Sequence, residues 1–112
     1  MVVDFDQLIA ERKVWVAEIS ADLAGFIVFF EQDGAMFLAN VAVHPDHTGR
    51  GVGSALIRCC ERAAVAAHLP AIVLYTNEKM TDNLSLYPRM GYRETERRFE
   101  DGVHRVYFEK RF

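Results

Sequence analysis

The chain has 112 residues, 51% of them hydrophobic and 26% charged, with a formal net charge of −3 at pH 7. That length and balance suit one domain, 1–112, around one apolar core, and exclude a disordered chain. No apolar run reaches the ~18 residues of a membrane span, and an acidic balance without Lys and Arg blocks interleaved with aromatics argues against nucleic acid as a partner.

The opening MVVDFDQLIAERK lacks the basic segment and long apolar stretch of a signal peptide, so a cytoplasmic location is expected. Residues 6–12, DQLIAER, read as a short helix capped by Asp6. VWVAEIS (14–20) and LAGFIVFF (23–30) are rich in β-branched and aromatic residues and read as a hairpin. A second turn at Asp33-Gly34 leads into AMFLANVAV (35–43), the third antiparallel strand. From Gly51 to about Ala67, Val52, Leu56, Cys59 or Cys60, Ala63 and Ala67 recur at helical spacing, with Arg58, Glu61, Arg62 and Val65 on the opposite face. The adjacent cysteines suit neither a disulfide framework nor a zinc site and read as core thiols of a reducing compartment. Leu69 and Pro70 end that helix, and AIVLY (71–75) reads as a strand covered on both faces. Strand, helix and buried strand make a right-handed crossover, so 35–43 and 71–75 should lie parallel. Asn83 to Met90 then looks helical up to Gly91, and 92–112 reads as two strands around an Asp101-Gly102 turn. The fold class is α/β in the α+β sense: a mixed, mostly antiparallel sheet with one parallel pair and helices packed on it.

The segment VHPDHTGRGVGSAL, 43–56, puts Gly49, Gly51 and Gly53 at alternate positions where the long helix begins. Free N–H groups at a helix start favour anions, and glycines let the backbone turn successive amides toward one. A P-loop is excluded because Gly53 is followed by Ser54 and Ala55 with no Lys. A dinucleotide fingerprint is excluded because its last glycine would fall on Ser54. His44 and His47 form an His-x-x-His pair, but with no helix beneath it and no third ligand nearby it reads as loop, so no metal is expected.

NVAVHPDHTGRGVGSALI resembles the acetyl-CoA-binding segment of the GNAT superfamily of N-acetyltransferases. That pattern is Gln or Arg, two residues, Gly, one residue, then Gly or Ala, with Thr48 here in the place of Gln or Arg. NLSLYPRMGY (83–92) resembles the later segment of the same family, with Asn83, Tyr87 and Gly91-Tyr92 in matching places. The resemblance implies a cleft between the parallel strands, with acetyl-CoA as acyl donor. Backbone groups of Val41, Ala42 and Val43 would bond the pantetheine arm, and Thr48, Gly49, Arg50, Gly51, Val52, Gly53 and Ser54 would cradle the pyrophosphate. The Thr48 hydroxyl could donate one hydrogen bond there. Tyr87 matches the general acid that protonates the departing thiolate, although a tyrosine on an apolar helix face is equally at home in a core. Asn83 either bonds the pantetheine arm or caps its helix.

No general base stands out: Glu31, Asp33, His44 and Glu78 lie near the expected cleft but at strand ends and turns, which leaves water to take the amine's proton. Arg89, Arg97, Arg98 and Arg105 read as a solvated face paired with nearby acids. The expectation is therefore an N-acetyltransferase acting by direct attack of a primary amine, on a small molecule or an exposed protein amine; the alternative is a non-catalytic CoA-binding module. Domains of this family usually open with a strand and two helices that wall the acceptor side. Here about a dozen residues precede Val14, so either the acceptor site is an open groove suited to a large or exposed amine or, the favoured reading, a homodimer supplies the wall, with VHRVYFEKRF as a hydrophobic sheet edge to be paired.

Overall fold

In the computed structural model, residues 4–9, 14–19, 22–49 and 51–112 are described. The strand-forming segments assemble into one seven-stranded sheet of order β1-β2-β3-β4-β5-β7-β6. The strands are β1 (Asp4–Ile9), β2 (Val14–Ile19), β3 (Asp22–Gln32), β4 (Ala35–Val43), β5 (Ala71–Asn77), β6 (Arg93–Glu100) and β7 (Val103–Arg111). The helices are α1 (Val52–Ala66) and α2 (Thr81–Arg89). Every pairing is antiparallel except β4 with β5. The β-α-β crossover expected from 35–75 is thus present, in the mixed sheet the sequence implies.

Two expectations are corrected. Residues 4–9 form a strand, where 6–12 read as a helix; Asp4 pairs with Glu18 and Ile9 with Val14. A helix of two turns cannot offset its nucleation cost alone, whereas the free edge of β2 offers a ready ladder of hydrogen bonds. The segment 103–111 lies inside the sheet, bonded to β5 on one side and β6 on the other, so it is no edge. The edge on that side is β6, which is polar except for Phe99 and carries ion pairs between Arg97 and Glu94 and between Arg98 and Glu96. Such charges protect an edge from further pairing.

The core lies on one face of the sheet. Ile27, Phe29, Met36, Leu38, Ile72, Leu74, Val106 and Phe108 meet Val52, Leu56, Ile57, Cys60 and Ala64 of α1 and Tyr87 of α2. Both cysteines are free and buried. Glu61 departs from the solvated face read for it: it accepts from the Tyr92 hydroxyl at 2.9 Å and from Lys110 Nζ at 3.2 Å. Lys110 also donates to the Met90 carbonyl at 2.9 Å, which clips α1 to the start of β6 and the end of β7. The other face of the sheet carries Phe30, Phe37, Tyr75 and Tyr107 in a row of ring contacts 5.4 to 5.8 Å between centroids. Among the described residues no helix is long and apolar enough to cross a membrane.

Candidate active site

The parallel strands part company soon after they meet. β4 and β5 pair only at Met36–Ile72 and Phe37–Val73. Pairing of β4 with β3 then steps from Phe29–Leu38 to Val28–Asn40, which leaves Ala39 as an extra residue, a bulge that bends the strand. Beyond it β4 follows β3 through Val41, Ala42 and Val43, and closely: a Cβ placed on Gly25 would stand 2.5 Å from the Ala42 carbonyl oxygen. The result is a cleft of about 300 Å³ with Leu38 to Val41 on one wall and Tyr75 to Asn77 on the other. Met80, Asn83 and Tyr87 of the α2 region line it, as do Val103 and Arg105 of β7. Past Phe37, the β5-facing backbone groups of β4 have no ladder partner in β5, which leaves donors and acceptors available to an extended ligand.

The glycine loop follows directly. After β4 comes one 3₁₀ turn, Pro45–His47, and then Gly49 at φ +77° and Gly51 at φ +76°. Both angles belong to the left-handed region that suits glycine. Gly51 is the N-cap of α1 and supplies no side chain to satisfy it, so the first amides of the helix, at Val52, Gly53 and Ser54, keep their outward N–H groups. The Val52 side chain is buried and anchors the helix start in the core. A Cβ on Gly53 would meet Val43 Cγ2 at 3.5 Å, so the helix start packs directly on β4. Nothing lies within 4 Å of a Cβ built on Gly49, which leaves open space at the loop. Arg50 lies outside the described residues. The Thr48 hydroxyl donates to the Pro45 carbonyl at 3.1 Å, within the loop. His44 Nδ1 accepts from the Asp46 amide at 3.1 Å and so caps the 3₁₀ turn.

Tyr87 is 2% exposed, with its ring 5.6 Å from those of Tyr92 and Phe108. Its hydroxyl makes no hydrogen bond among the described residues, and the residue lines the cleft, so core ring and cleft-facing group belong to one side chain. Burial first, and Cys60 second, push its pKa up to about 12, which keeps the phenol protonated. Asn83 is not the cap of α2: the helix starts at Thr81 with Met80 at the N-cap. Its amide instead donates to Thr76 Oγ1 at 3.2 Å, tying α2 to β5 across the cleft's inner wall.

Glu31, Asp33, His44 and Glu78 are absent from the lining of this cleft, and Glu78 faces Arg97 at 4.0 Å. The charged lining residue is Arg105, which the sequence reading placed on a solvated face together with Arg89, Arg97 and Arg98. Alternation along β7 and its pairing with β5, Arg105 opposite Asn77 and Tyr107 opposite Tyr75, bring it to the cleft. That alternation was visible in the sequence, but the partner strand was not.

A family model of the acetyltransferase (GNAT) domain matches residues 10–94. An acetyltransferase of Sodalis glossinidius (strain morsitans) is 32% identical over 79 residues, 69% of this chain and 54% of that protein. The chain therefore spans about half the length of this curated relative. Among solved structures, nourseothricin acetyltransferase superposes with a TM-score of 0.83 at 23% identity, over 91% of this chain and 66% of that one. A GNAT family acetyltransferase from Elizabethkingia anophelis, solved with acetyl-CoA bound, superposes with a TM-score of 0.79 at 20% identity, over 90% of this chain and 76% of that one.

Proposed function

The chain belongs to the GNAT acetyltransferase family, and we propose that it transfers an acetyl group from acetyl-CoA to a primary amine by direct attack. The observation that carries this reading is the parting of β4 from β5 immediately ahead of a left-handed glycine loop, with Tyr87 at the inner end of the gap. In this reading the amides from Gly49 to Ser54 hold the pyrophosphate at the positive end of α1. Backbone groups of Val41, Ala42 and Val43 bond the pantetheine arm as an added strand would and polarise the thioester carbonyl. Asn83, already tied to Thr76, has further hydrogen-bonding capacity for the same arm.

As the amine nitrogen bonds to the acetyl carbon and the carbon–sulfur bond breaks, Tyr87 hands its phenolic proton to the thiolate and recovers one from water. The amine's surplus proton leaves through water, since no carboxylate lines the cleft among the described residues. Neither cysteine lines the cleft, which fits transfer without an acyl-enzyme. The same reading includes a cytoplasmic setting, a small-molecule or exposed protein amine as acceptor, and a second copy of the chain walling the open face of the sheet.

Thermal unfolding with CoA tests the donor site. Saturation at about 100 times Kd should stabilise the fold by roughly 2.7 kcal/mol, or about 10 °C in Tm for a domain of this size. Gly51→Asp should abolish that shift, because it sets a negative charge at the helix start and a side chain at φ +76°. A folded Gly51→Asp variant that keeps the full shift would remove the cradle from the reading. Release of free thiol with any amine separates the enzyme from the CoA-holding module, for which Thr48 in the place of Gln or Arg leaves room.

A further inference from the structure

Arg105 is the charged side chain among the described residues lining the cleft, and it stands on the sheet face that α1 and α2 leave open. Its guanidinium carbon lies 4.4 Å from the centroid of the Tyr75 ring, over its face. Nη1 is 3.5 Å from Glu100 and Nη2 3.4 Å from Asp101, and the Arg105 side chain is only 22% exposed.

A guanidinium stays cationic at every working pH. An amine entering the same cleft is also a cation until it gives up its proton, and among the described residues no carboxylate lines the cleft to receive it. Glu100 and Asp101 balance the guanidinium in the free protein, so the arginine fork becomes available only to a ligand group that takes their place, which a simple alkylamine cannot do. An acceptor that carries its own carboxylate can stand in for Asp101. It also matches the donor fork, since arginine binds a carboxylate through two parallel N–H groups. The present partners sit at the long end of ion-pair distance, and Asp101 is 83% exposed, so a bidentate ligand can displace it at little cost.

We infer that Arg105 is the acceptor-side anchor of the cleft, and that the acceptor is an amine bearing a carboxylate beside its nitrogen, of the amino-acid class. This rests on the acetyl-transfer reading, and Arg105 acts as a specificity-determining residue within it.

The test uses the full chain with a panel of amino acids, each set against its decarboxylated amine, followed by thiol release. In parallel, calorimetry with CoA present measures binding of each N-acetylated amino acid against its primary amide. The carboxylate member should be favoured by about tenfold or more in kcat/KM and in Kd. Arg105→Gln should erase that preference chiefly through KM, and Arg105→Lys, which keeps a point charge without the fork, should retain part of it. Equal use of the decarboxylated amines by the parent chain, or an unchanged preference in a folded Arg105→Gln, overturns the anchor while leaving acetyl transfer standing. Carboxylate binding that depends on Arg105, with no amine of either kind acetylated, supports the anchor and overturns acetyl transfer.

Discussion

Removing one oxygen separates catalysis from packing at Tyr87. In Tyr87→Phe the ring keeps its place against Tyr92 and Phe108, and the atom removed makes no hydrogen bond among the described residues, so no buried partner is orphaned. The expected change in stability is therefore within about 0.5 kcal/mol, and CoA affinity should be unchanged. Turnover should fall by about 10²-fold, or roughly 2.7 kcal/mol in the barrier, the usual contribution of a general acid. The fall should appear in kcat rather than KM, because the proton is needed only as the carbon–sulfur bond breaks. The pH profile adds a second mark. With its pKa pushed up to about 12, the Tyr87 phenol remains a donor through the whole assay range, so it imposes no alkaline limb on the parent enzyme. Thiol release under saturating donor, with denaturation and thermal shift on the same preparation, measures all of this. A kcat within about threefold of the parent when chemistry is rate-limiting would return Tyr87 to a purely packing role, as would a variant that loses stability and activity together.

The same tyrosine predicts an alkaline limit to stability. Because the folded pKa lies above the ordinary 10.0, the contribution is fully present below pH 10 and is lost as pH rises toward 12, by up to about 2.7 kcal/mol. Tyr92, raised by burial and by Glu61, adds in the same direction. Denaturant midpoints at pH 8 and pH 11 check this, and a flat profile contradicts it. Gly25→Ala should destabilise by about 2 kcal/mol or more, since its methyl would meet the Ala42 carbonyl at 2.5 Å, whereas Gly34→Ala, at φ +79° with open space around it, should cost only about 1 kcal/mol. Urea midpoints of the pair compare a close approach with a turn conformation. Light scattering at micromolar concentration tests the second copy: a 12.8 kDa species that acetylates a small amine would remove the need for it.

What could be read from the sequence follows from how local each feature is. The helix α1 announced itself because its apolar spacing, its glycine start and its Leu69-Pro70 end all sit within one stretch of chain. The β4-α1-β5 crossover followed from that helix and the strands flanking it. β1 failed the same test: six residues carry too little periodicity to outweigh the edge that β2 offers them. The parting of β4 from β5 is written in two separate places, an extra residue at Ala39 and the missing side chain of Gly25, and neither means anything until β3 and β4 are set in register. Arg105 needed still more. Its place on the same strand face as Val103 and Tyr107 follows from alternation, but that face mattered only once β7 had inserted between β5 and β6 and brought Tyr75 beneath the guanidinium. The proposed donor side of the cleft would be built from a continuous segment and so shows in the order of residues. The proposed acceptor side would be built where β5 and β7 meet, which is why a side chain read as one of several solvated arginines would stand at the point where an acceptor's charge is sensed.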